Sequence, residues 1–68
     1  MDINNIFTNH PVTEDQSIAY DEIRLVAKNL ANAIIQFVPA GADQTEAIRK
    51  VREAVFTANA GIALGGQL

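Results

Sequence analysis

No cysteine occurs among the 68 residues of this chain, which excludes disulfide staples, thiolate metal sites and a cysteine nucleophile. His10 is the lone histidine and Ser17 the lone serine, so the parts of a nucleophile, base and orienting group are not assembled. There is no Glu-x-x-His spacing, and Glu14, Asp15, Asp21, Glu22, Glu46 and Glu53 fall in capping or ion-pair positions. The chain therefore reads as a non-enzyme that needs no metal and no cofactor. No apolar run approaches the roughly 18 to 20 residues that span a bilayer. The amino terminus, Met1-Asp2-Ile3-Asn4-Asn5, lacks the basic-then-apolar order of a secretion signal, so a cytosolic protein without a membrane partner is expected. Positive charge is also scarce: five Lys and Arg stand against eight Asp and Glu, for a net charge of −3 and a pI near 4.7. That balance argues against gripping duplex nucleic acid through many phosphates.

What is present is a short, apolar-rich, helix-patterned chain expected to form a single domain over residues 1–68. At this size, apolar burial at about 25 cal/mol/Å² nearly cancels an ordering cost of about 1.5 kcal/mol per residue. With no disulfide and no metal to supply the difference, association of chains remains.

Three segments are expected. Residues 1–12 form a leader arm in which Ile3, Ile6 and Phe7 lie at helical spacing, while Pro11 and the flanking Thr8, Asn9 and His10 halt any helix after one loose turn. Thr13 followed by Gln16 matches a capping box, and Glu14 and Asp15 suit the first turn, so a first helix is predicted over 14–37. Pro39 and Gly41 then make a short connection of the length usual in an antiparallel helical hairpin. Asp43 with Glu46 repeats the capping pattern and predicts a second helix over 43–63, ended by Gly65-Gly66 and followed by a flexible tail over 64–68. The fold class is all-α: an arm, then an antiparallel two-helix hairpin assembled into a helical oligomer.

The reason for expecting an oligomer lies in the helix faces. In the second helix Ile48, Val51, Val55, Ala58 and Ile62 recur at spacings of three and four and align as one stripe. Phe56, Ala60 and Ala63 form another apolar face roughly 100° or more around the same helix. One face meets the partner helix, and the other needs a second chain. In the first helix an apolar arc of roughly 160° runs from Ala19 and Tyr20 through Val26 and Leu30 to Phe37 and Val38, broader than one seam requires. Ile18 and Leu25 lie outside it, as a subunit contact or as scattered surface aliphatics.

Arg24 and Lys28 stand one helical turn apart at the edge of that arc. Two readings fit: a solvated pair balanced by Asp21, or an anion site in which a guanidinium forks onto a phosphate and an ammonium adds a point charge. Arg49, Lys50 and Arg52 form a second basic group, read as surface residues paired with Glu46 and Glu53. Asn59 projects between the apolar stripe and the Phe56 face, so its amide is either paired across an interface or offered to a ligand. His10, beside Pro11, is available to stack on a ring or donate a hydrogen bond.

The run Ala42-Asp43-Gln44, then Ala47 to Val55 and Thr57 to Ala63, resembles the second helix of small phage anti-CBASS proteins of the type 2 group, which share a hairpin domain with a Thoeris anti-defence protein. Upstream, Phe7-Thr8-Asn9-His10-Pro11 and Tyr20 to Leu30 are similar to that family's leader and first helix. The resemblance implies a sponge, hexameric in the family, that withholds cyclic nucleotides from the host's antiphage effector without degrading them. The implied ligands are 3′,3′-cGAMP-like cyclic dinucleotides and cyclic trinucleotides. The implied location is the cytoplasm of the infected bacterial host.

Position by position, the resemblance puts Arg24 against ligand phosphates, with Lys28 one turn later as support. The family's stacking aromatic falls at Asn9, which has no ring, leaving Phe7 or His10 to compensate. A separate trinucleotide site is implied near the three-fold axis, in the Asn59 region. A two-fold site lined by paired cations and stacking groups suits a ligand with two phosphates and two flat bases. Two other classes fit the helical pattern: a passive helical oligomerisation module, and a phage antagonist that binds a host protein through a helical groove.

Overall fold

The computed structural model describes residues 12–66, and the leader positions Phe7, Asn9 and His10 lie outside them. Within that range the chain forms two helices, α1 (Glu14–Phe37) and α2 (Ala42–Leu64), packed as a hairpin. No strand occurs among the described residues.

The start of α1 follows from its capping residues. Thr13 is extended, at φ −83 and ψ 164, and its hydroxyl accepts from the Gln16 N–H at 3.1 Å. The Gln16 side-chain oxygen accepts in return from the Thr13 N–H at 3.0 Å, so two otherwise unpaired donors are satisfied. Glu14 and Asp15 place negative charge at the positive end of the helix. The Gln16 amide nitrogen reaches further, donating to the Ile62 carbonyl at 3.0 Å in the last turn of α2. One side chain thus caps α1 and ties its first turn to the end of α2, which sets the helices antiparallel.

At the other end, Pro39 forces Val38 into extended backbone, at φ −100 and ψ 126, and α1 stops. Gln44 in the first turn of α2 donates its amide to the Val38 carbonyl at 3.1 Å and lies 3.4 Å from that of Ile35. The terminal carbonyls of α1 are therefore met by a side chain of the next helix. The capping box expected at Asp43 and Glu46 does not form. The N-cap of α2 is Gly41, at φ 158 and ψ −167, a backbone conformation open to glycine, and no side chain caps it. The chain is already helical at Ala42, so Asp43 falls inside the first turn, where it can act only on the helix dipole. Glu46 is left to pair with basic residues one turn later. At the far end the helix runs through Leu64, one residue past the expected 63, Gly65 is left-handed at φ 61, and the Gly66 N–H donates to the Gly61 carbonyl at 3.0 Å. This is a glycine-closed helix end that satisfies orphan carbonyls.

Along the seam, Ile23, Ala27 and Ile34 of α1 meet the α2 stripe of Ile48, Val51, Val55, Ala58 and Ile62, and every one of these is only half-buried. No described side chain is fully buried. Val26 and Leu30, on one edge of the broad α1 arc, remain more than half exposed, as do Ile18 and Leu25 outside it. Between Val26 and Leu30 on α1 and Val51 and Ala54 on α2 runs an open apolar groove of about 390 Å³, with Lys50 as its charged wall.

The double duty of Gln16 is separable. Gln16→Glu keeps the acceptor for Thr13 but replaces the donor to Ile62 with a carboxylate oxygen facing a carbonyl. It is expected to lower stability by about 1 kcal/mol, while Gln16→Ala, which loses both, lowers it by about 2. Urea denaturation of the two variants checks the order.

Candidate functional site

The two sides of the helical seam are chemically different. The groove side is bounded by Val26 and Leu30 on α1 and by Lys50 and Ala54 on α2. At about 100° per residue, the opposite side of α1 carries Arg24 and Lys28, and the opposite side of α2 carries Arg52, Phe56 and Asn59. The antiparallel register, set by Gln16 against Ile62 and by Gln44 against Val38, brings Arg24 and Lys28 level with the stretch of α2 that holds Arg52 and Phe56. Three cations and an aromatic ring thus share one flank.

These cations are weakly engaged. The Arg24 guanidinium is 3.7 Å from the Asp21 carboxylate, with both side chains about three-quarters exposed (75% and 74%), a geometry in which water and salt screen most of the attraction. The contact leaves the Arg24 guanidinium accessible. Among the described residues, no carboxylate lies within ion-pair distance of Lys28 or Arg52. Arg52 instead lies over the Phe56 ring, its guanidinium carbon 5.4 Å from the ring centroid, a cation–π arrangement.

The second basic group is thus not one group. Arg49 and Lys50 share a single carboxylate, Glu46, at 3.9 and 3.8 Å. Arg49 was expected to pair with Glu53, and it turns back to Glu46 instead, three residues earlier on the same helix face. Arg52 was expected to belong with them as surface charge, but it lies about 160° around the helix from Lys50 and sits over Phe56. The four-residue spacing of Arg52 and Phe56 is the signal in the sequence that would have found this contact.

Asn59 lies one turn beyond Phe56 and is half-buried at the edge of the seam; its side-chain oxygen is buried and, among the described residues, has no hydrogen-bond partner. An unpaired buried acceptor costs on the order of 1 to 3 kcal/mol, so this atom calls for a donor that the described residues do not provide. Tyr20 on α1 is half-buried. Phe7, Asn9 and His10 belong to the leader outside the described residues, so the structure assembles three of the six residues singled out from the sequence: Arg24, Lys28 and Asn59. To these it adds Arg52 and Phe56.

Chemically, the flank offers three cations for an anion and one ring with an open surface. No group of three or more His, Asp or Glu side chains that would hold a metal ion occurs among the described residues. No described helix is long and apolar enough to cross a membrane.

Comparison with known proteins agrees with the helical hairpin and reaches into the leader. The family model for the Acb2/Tad1 hairpin domain matches residues 1–63. No curated protein and no solved structure matches the chain. The match takes in the leader, both helices up to the last turn of α2, and every candidate residue named above, and the chain therefore belongs to the Acb2/Tad1 hairpin-domain family.

Proposed function

We propose that this protein suppresses CBASS antiphage signalling by sequestering cyclic oligonucleotide messengers without cleaving them, in the cytoplasm of the infected bacterial host. The observation that carries this reading is the flank where Arg24, Lys28 and Arg52, none held by a buried carboxylate, stand beside an exposed ring. Cyclic dinucleotides of the 3′,3′-cGAMP type present two phosphates and two flat bases, and a flank of this composition answers both chemistries. Family membership supports an anti-defence role and a binding protein rather than an enzyme. Cyclic trinucleotides are the second ligand class, and the unpartnered Asn59 oxygen supports placing their contacts near the end of α2.

The working form is a homo-oligomer, a hexamer in this reading. Support comes from Val26, Leu30 and the groove between them and α2, an apolar surface that the hairpin leaves open to water. A two-fold relation between copies would set two Arg24–Lys28 pairs against the two phosphates of one ligand.

Calorimetric titration with 3′,3′-cyclic GMP–AMP tests the site. Arg24→Ala is expected to cost on the order of 2 to 3 kcal/mol of binding, through loss of a forked contact, and Lys28→Ala about 1. Affinity should fall as salt is added. Unchanged affinity in Arg24→Ala would move the phosphate site elsewhere. No binding by the unsubstituted chain would favour a passive oligomerisation module or an antagonist of a host protein.

Assembly is tested by size-exclusion chromatography with light scattering. A species well above a dimer is expected, and Leu30→Asp, which sets an unpaired charge in the groove, should dissociate it. A stable monomer of the unsubstituted protein overturns the oligomeric reading.

Sequestration also predicts that cyclic nucleotide incubated with the protein and released by heat is recovered intact by chromatography. Linear nucleotide, in a preparation free of nuclease, would contradict it.

A further inference from the structure

Phe56 is 58% exposed on the apolar face of α2 that it shares with Ala60 and Ala63, and the Arg52 guanidinium lies over its ring. The sequence pattern gives this face to a second chain, but a dry contact of that kind, while covering the ring, would also desolvate Arg52, which has no carboxylate within ion-pair distance among the described residues. Burying that charge unpaired is unfavourable. A flat anionic ligand avoids the penalty, because its aromatic part covers the ring while its phosphate meets the guanidinium. Among the other rings described, Tyr20 is half-buried, and Phe37 is exposed at the turn end of α1, away from Arg24.

We propose that Phe56, backed by Arg52, is the surface on which a purine base of the bound cyclic oligonucleotide stacks, while Arg24 and Lys28 take its phosphates. This rests on the sequestration reading and adds to it the place where a base is held. The stacking ring comes from the second helix. Stacking on a ring tolerates any base but strengthens with the size of its π surface, so purine cyclic dinucleotides bind more tightly than pyrimidine ones.

The chain has no tryptophan, so Phe56→Trp introduces a single indole at the proposed contact. Titration of Phe56→Trp with 3′,3′-cyclic GMP–AMP should quench the indole emission and saturate at the affinity measured by calorimetry. Phe56→Leu keeps an apolar side chain without a ring, and should lower affinity roughly tenfold while the assembled mass stays unchanged. Cyclic di-UMP should bind the unsubstituted protein more weakly than cyclic GMP–AMP. If the unsubstituted protein binds cyclic GMP–AMP, but Phe56→Leu binds equally well and Phe56→Trp is not quenched, the stacking proposal is overturned and sequestration stands. If Phe56→Leu dissociates, the emission of Phe56→Trp decides: quenching by ligand supports stacking, and its absence assigns the ring to the interface between copies. If the unsubstituted protein binds no cyclic nucleotide, both readings fall together.

Discussion

Two helices lying side by side share one seam, and a seam covers only one face of each helix. That geometric limit governs this protein. Its apolar residues extend beyond the seam on both helices, so none of the described side chains is fully buried and Val26 and Leu30 stay largely in water. Burial of apolar surface is the main favourable term in folding, and a hairpin that half-covers its best residues gains only part of it. The ends of the hairpin are correspondingly well tied: Gln16 bonds to the last turn of α2, and Gln44 closes the turn onto Val38. These polar ties fix the register of the helices, while the open apolar surface is left to association between copies, as proposed above.

The same seam separates two kinds of surface. On one side lies an apolar groove, and on the other stand Arg24, Lys28, Arg52 and the Phe56 ring. The chain is acidic overall, and two of its five basic residues are held by Glu46. The remaining three stand on one flank of a protein whose net charge is −3. Screening in physiological salt confines such a patch to a range of about 8 Å. A small ligand with a few phosphates fits within that range, whereas a long polyanion would also meet the acidic remainder. The charge distribution thus suits the compact anions proposed above better than duplex nucleic acid.

Much of the fold was legible because helices are local objects. Apolar spacing in Ile48, Val51, Val55, Ala58 and Ile62 announces a helix and the face it turns to its partner, and the Thr13–Gln16 capping box is written within four residues. Pro39 and Gly65-Gly66 act through their own backbone restrictions and mark the helix ends. The start of α2 was misread because Asp43 and Glu46 match a capping pattern, and only the backbone at Gly41 shows that the helix has already begun.

For the candidate site, the sequence by itself determined which residue types were available: few cations, one histidine and no cysteine, with Arg24 and Lys28 one turn apart. Tertiary structure alone decided how they are grouped. Arg49, Lys50 and Arg52 are neighbours in sequence, yet rotation about the helix sends Arg52 to the flank opposite Lys50 and onto Phe56. Whether that flank coincides with the one carrying Arg24 depends on which faces the two helices turn to each other, and whether the residues stand level depends on the register, tied by hydrogen bonds between residues as far apart as Gln16 and Ile62. The unpaired Asn59 oxygen is likewise a product of packing, since burial of an atom depends on what the other helix covers. Periodicity along one helix states what shares a face, but which faces meet, and what they leave open, is a property of two helices together.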